Sequence, residues 1–159
     1  MADARVVANR FLTLAEQEGR ALTPMQVLKL VYIAHGWNLA LYDRPLIDQP
    51  VEAWQYGPVI RDLYNSMKGW GGGHVRGPLE VGYGGNAEEL SAEENDLVGQ
   101  VFRLYGRKNG VALSRITHAP NTPWQQIYTP GQHGIVIPTD LIAEHYERLS
   151  RERSTVANG

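Results

Sequence analysis

The sequence predicts a mainly α protein, a single compact helical domain of about six helices around a central buried helix, with a small β-hairpin beside it. Three observations carry this expectation. Apolar residues recur at helical spacing in several capped segments, one such segment is apolar on almost every side, and 159 residues suffice for one domain burying roughly two thirds of its unfolded surface.

Asp3 is placed to cap a first helix, with Ala4, Val7, Ala8, Phe11, Leu14 and Ala15 on one stripe and Gly19 stopping it near Glu18. Thr23-Pro24-Met25-Gln26 has an N-cap hydroxyl, a Pro at the first helical position and a Gln that can return a hydrogen bond, which together read as a capping box. The helix it opens extends to about Tyr42, where Asp43-Arg44-Pro45 ends it. Met25, Leu28, Leu30, Val31, Tyr32, Ile33, Trp37, Leu39 and Leu41 surround its axis, so other elements must pack on several of its faces.

Val51 to Gln55 alternates like a short strand, and Gly57-Pro58 is expected to open a third helix through Met67. Gly69 to Asn86 holds eight glycines and one proline, too many for a helix. That segment reads as a long loop, inside which Val75, Leu79, Val81 and Tyr83 could pair as a loose hairpin around Gly77-Pro78. Ser91-Ala92-Glu93-Glu94 is a second capping box and opens a helix that Gly106 stops. A helix over 111–117, a short helical turn from Thr122-Pro123-Trp124 to about Tyr128, a strand at Ile135-Val136-Ile137 and a last helix from Thr139 to Ser150 complete the order. Residues 152–159 read as a disordered tail.

Charged residues make up 20% of the chain, hydrophobic ones 43%, and the net charge is -2. Nothing in that balance suggests broad binding to nucleic acid or anionic membrane. There is no Cys, which removes disulfides, thiolate zinc sites and a Cys nucleophile. Met1 to Arg5 does not begin a secretory signal, and the longest apolar run of the central helix, Leu30 to Ala34, falls far short of the roughly 18 residues of a membrane span. A soluble cytoplasmic protein with no membrane partner is expected.

His35, His74, His118, His133 and His145 lack metal-site spacing, so no metal is expected. Gly71-Gly72-Gly73 lacks the strand, helix and Lys-Ser or Lys-Thr of a phosphate loop, and there is no Gly-x-Ser-x-Gly elbow. No cofactor or catalytic residue is assigned. His35 reads as a hydrogen-bonded core residue. Lys29, on the apolar helix, has two readings: a stem that snorkels to the surface, or a buried cation paired with Glu52 or Asp62.

The candidate partner-binding residues are Trp54, Tyr56, Gly57, Pro58, Trp70, His118 and Trp124. Gly57 before Pro58 lets the chain turn sharply, with one of Trp54 and Tyr56 facing the core and the other available as an interface anchor. Trp70, between two glycines, is expected to be exposed. His118 at a helix end and Trp124 at the start of the next can cover a structural joint, or can contact a partner.

The arrangement Leu22-Thr23-Pro24-Met25-Gln26, Leu28-Lys29-Leu30, Tyr32-Ile33-Ala34, Gly36-Trp37, then Pro45-Leu46, Ala53-Trp54, Tyr56-Gly57-Pro58-Val59 and Leu63-Tyr64 resembles the Panacea domain. That family is also called DUF4065, the SocA-like antitoxin or phage-associated GepA group. Leu113 to His118 and Pro123-Trp124 match its second signature, so the resemblance covers about residues 6–146, within a domain set at 1–151. It implies a small, mainly helical, cytoplasmic antitoxin of a bacterial or prophage toxin-antitoxin system, which neutralises a cognate toxin by binding it. In the SocA-type member the antitoxin also acts as an adaptor presenting its toxin to the ClpXP protease.

Two other classes compete with it. Antitoxins often regulate their own promoters, but the stretch from Asp43 to Gly57 is long for a helix-turn-helix joint, and the basic residues available for promoter DNA are Arg61 and Lys68, or Arg103, Arg107 and Lys108. A hydrolase would use His118 as base with a carboxylate such as Asp62 or Glu94.

Overall fold

The computed structural model describes residues 1–81 and 90–158, with side chains through Arg153. Helix α1 (Ala4–Gln17) is capped by Asp3, whose carboxylate accepts from the Arg5 amide, and it buries Val7, Ala8 and Phe11. The Thr23 and Gln26 side chains complete the predicted capping box at the start of α2 (Pro24–Tyr42). Asp43 closes α2 in the left-handed conformation.

Helix α2 is the centre of the molecule. Every residue from Val27 to Leu39 is buried, and α2 is packed by α1, by α4 (Ala92–Tyr105), by α5 (Gly110–Thr117) and by α7 (Thr139–Asn158). The α2–α7 contact is close because Gly36 has no side chain: the Tyr146 ring occupies the space where a Cβ would stand. Tyr146 meets Trp37 and Tyr32 edge to face, at 5.3 and 6.2 Å between centroids. Its hydroxyl pKa is raised, because burial disfavours the phenolate.

The short sheet has the order β2-β1-β3, with β1 (Glu52–Trp54) antiparallel to both β2 (Gly57–Val59) and β3 (Ile135–Val136). Gly57-Pro58 therefore does not open the third helix as expected. The two residues form the start of an edge strand, a place where a proline's missing N–H costs little, and α3 (Arg61–Met67) begins after Ile60. The small hairpin thus exists, but at β1 and β2.

No strand forms at 75–81, and Tyr83 lies outside the described residues. Val75 and Leu79 are buried there for a different reason. The Val75 amide donates to Leu22 O, while Asn9 exchanges two hydrogen bonds with the backbone of Leu79 at 2.7 and 3.0 Å. The described part of the glycine-rich segment is thus pinned to the α1–α2 corner by hydrogen bonds distant in sequence.

Helix α7 runs past the predicted stop at Ser150. Arg153, assigned from sequence to the tail, lies over the Trp37 ring at 5.0 Å and donates to the Tyr105 hydroxyl at 2.8 Å. Among the described residues no helix is long and apolar enough to cross a membrane.

Candidate functional site

Glu52, in β1, is buried and bound by Arg61 through two hydrogen bonds of 2.7 and 3.0 Å, which hold its carboxyl below the usual glutamate range. The Arg61 guanidinium also covers the Trp54 ring at 5.2 Å, and Trp54 meets Tyr64 edge to face at 4.9 Å. Strand β1 is thereby fixed to the start of α3, and Trp54 is half-buried.

Gln55 and Tyr56 form the turn between β1 and β2, and Tyr56 is 69% exposed at its tip. The turn's backbone is held from below. Lys29 Nζ donates to the carbonyl of Pro58 at 3.0 Å and, at 3.4 Å, to that of Tyr56, which also accepts from Ser114 Oγ at 3.0 Å. Gly57, at φ +120°, passes directly over the ammonium, and a Cβ there would stand 2.8 Å from Nζ.

Lys29 is 3% exposed, and neither reading made from sequence describes it. Its ammonium does not reach the surface, and its partners are carbonyls of the turn, while Glu52 is engaged by Arg61. Burial without a countercharge lowers its pKa to about 8.

Helix α5 and the short α6 (Pro123–Ile127) form the other wall. Ser114 and His118 are one turn apart on α5, with Oγ and Nδ1 at 3.2 Å. The His118 ring meets the edge of Trp124 at 5.5 Å, and Trp124 stacks on Tyr128 at 4.8 Å. The Trp124 indole N–H donates to the carbonyl of Trp54, tying α6 to the hairpin.

Six of the seven candidates, Trp54, Tyr56, Gly57, Pro58, His118 and Trp124, therefore meet at one place. Trp70 does not join them. It ends a 3₁₀ turn, Lys68–Trp70, and is half-buried against the core instead of exposed, lining a separate cleft of about 500 Å³ with Ala21, His74, Val75 and Arg76. Lys29, Ser114 and Tyr128 belong to the site but were not assigned to it from sequence. Ser114 and His118 had a local signal, their spacing of four on a helix; Lys29 had none, because its partners lie 27 and 29 positions away.

Several polar groups here have structural work. Ser114 is buried with its hydroxyl bonded to a carbonyl, and Glu94 returns the capping bond to Ser91 at 2.8 Å. His35 is buried on α2 and accepts from the Leu46 amide at 3.3 Å, as expected of a core histidine. Burial lowers its pKa to about 4. Among the described residues no group of His, Asp or Glu could hold a metal ion.

The central helix from Val27 onward, the aromatic hairpin and α5 all fall within the match to one family, described as Antitoxin SocA-like, Panacea domain, over residues 27–125. That match places the protein in an antitoxin-like class. The chain belongs to the SocA-like Panacea-domain family. It is also similar to Antitoxin SocA of Caulobacter vibrioides (strain NA1000 / CB15N), at 28% identity over 131 residues, which cover 79% of this chain and 70% of that protein. No solved structure matches the chain.

Proposed function

We propose that this protein acts in the cytoplasm as the antitoxin for a cognate toxin, neutralising it by direct contact through the face built from Tyr56, Trp54, His118 and Trp124. The observation that carries this reading is the exposure of Tyr56 on a turn whose backbone is bonded to both α2 and α5. A large aromatic on a rigid support loses little conformational freedom on binding, and such residues dominate the energetics of protein interfaces. Ordinary structural packing explains Trp54 and Trp124; it does not explain why Tyr56 faces solvent.

The role is binding and not catalysis. A hydrolase built on His118 would need a neighbouring carboxylate, but its near partners are Ser114 and Trp124, and Ser114 already donates to Tyr56 O. Arg61, at the start of α3, is engaged by Glu52, which weakens a role for α3 in binding promoter DNA.

The test is co-expression with the product of the neighbouring reading frame. That product alone should arrest growth, and this chain should relieve the arrest and co-purify with it. A neighbour whose toxicity the chain leaves untouched would overturn the proposal. Presentation of the toxin to ClpXP is the finer form of the same role. Relief that persists in cells lacking that protease, with toxin levels unchanged, would rule it out.

A further inference from the structure

The Tyr56 carbonyl oxygen can only accept hydrogen bonds, so the Ser114 hydroxyl, 3.0 Å away, donates its single hydrogen to it. The same Oγ lies 3.2 Å from His118 Nδ1. With its hydrogen committed, Ser114 has only lone pairs to offer the ring, and the nitrogen facing it must carry a proton. We propose that His118 stands as the Nδ1–H tautomer, and that its bare Nε2 is the hydrogen-bond acceptor for an N–H donor of the toxin on the Tyr56 face.

The proposal rests on the toxin-binding reading and gives it a chemistry. Among the described residues, no hydrogen bond to Nε2 competes for that lone pair. The ring is half-buried and held on one side by Ser114 and on the other by the edge of Trp124. Ser114 is itself fixed, because the carbonyl it serves also accepts from Lys29. An acceptor in an aromatic wall discriminates between partners. A docking surface with an N–H there replaces the water it loses, whereas one with an apolar group or a carbonyl leaves a desolvated lone pair unpaired.

The tautomer can be read without any partner. Long-range proton–nitrogen correlation spectra of the full chain at mildly alkaline pH should show His118 Nδ1 as the protonated nitrogen and Nε2 as the bare one. A proton on Nε2 would overturn the assignment. For the binding half, the probe is the purified product of the neighbouring reading frame. His118→Asn retains a donor toward Ser114 but has no acceptor at the Nε2 position, and should bind about tenfold more weakly, the order expected for one lost hydrogen bond. His118→Gln keeps an acceptor at the end of its side chain, and should stay within about threefold of the parent on the same scale. Wild-type affinity in His118→Asn contradicts the proposal. If Tyr56→Ala weakens binding and His118→Asn does not, only the acceptor role fails; if neither does, the whole face is wrong.

Discussion

The buried Lys29 ammonium, carried by the central helix, donates to the Pro58 carbonyl at 3.0 Å and has no carboxylate partner among the described residues. A cation in that position costs stability, and the turn it holds is what it contributes in exchange. Lys29→Met keeps most of the packing volume and removes the two donations. Amide hydrogen exchange at Tyr56 and Gly57 should then quicken while exchange in α2 stays slow; unchanged exchange in the turn would show that Lys29 does not hold it.

The same residue gives a pH signature. A base whose folded pKa, about 8, lies below its unfolded value of 10.5 is destabilising while charged, and the penalty is relieved as pH rises through that interval. Between about pH 8 and 10 the wild type should gain roughly 2 kcal/mol relative to Lys29→Met in paired urea titrations. Comparison with the variant cancels the opposing effect of the buried tyrosines Tyr32 and Tyr146, whose raised pKa values begin to lower stability as pH approaches their ordinary value of 10.0.

His35 controls the acid side. Its folded pKa of about 4 lies below the ordinary 6.5, so the unfolded chain takes up a proton there before the native one does, and stability falls as pH drops through that window. From about pH 7 to pH 5 the loss should be roughly 2 kcal/mol, and His35→Asn, which can still accept from Leu46, should flatten most of it. His145, also lowered by burial, adds in the same direction. Asp3, lowered to about 2 chiefly by its hydrogen bond with Arg5, keeps its contribution throughout this range. A urea midpoint independent of pH over this interval would contradict the burial of neutral His35.

These two residues also mark how far the sequence could be read. The two capping boxes, the central helix and a core role for His35 were legible because their signals are local: a hydroxyl three residues from a Gln or Glu, or an apolar ring around one axis. Lys29 was not, since nothing in Leu28-Lys29-Leu30 indicates carbonyls from a turn nearly thirty residues away. Gly57-Pro58 carried a helix-start signal but was claimed by sheet pairing, as tertiary context can do with any turn residue. Trp70 read as exposed because glycines flank it, although the segment after it is drawn in by Asn9 and Leu22. The aromatic site itself was legible in its members, since Trp54 to Pro58 and His118 to Trp124 stood out by composition, but not in its assembly.

Gly36 offers a test of the packing beneath the site. A Cβ there would come within 2.3 Å of two Tyr146 ring carbons, far inside contact distance. Gly36→Ala gains helix propensity of about 1 kcal/mol, but displacing a buried aromatic should outweigh it, for a net loss of about 1–3 kcal/mol. A calorimetric Tm lower by roughly 3–8 °C is expected. An unchanged Tm would mean that α7 does not sit against α2 at this point.

The most direct test of the account is Tyr56→Ala. The side chain is 69% exposed and its substitution should leave Tm within experimental error of the parent. The decisive measurement is the affinity of this variant for the toxin identified by co-expression, by calorimetric titration, together with its ability to relieve growth arrest. Antitoxin action through the aromatic face predicts a folded protein that binds at least about thirtyfold more weakly, as for a hot-spot residue worth 2 kcal/mol or more, and that no longer protects cells. A folded Tyr56→Ala with wild-type affinity and full protection would contradict it.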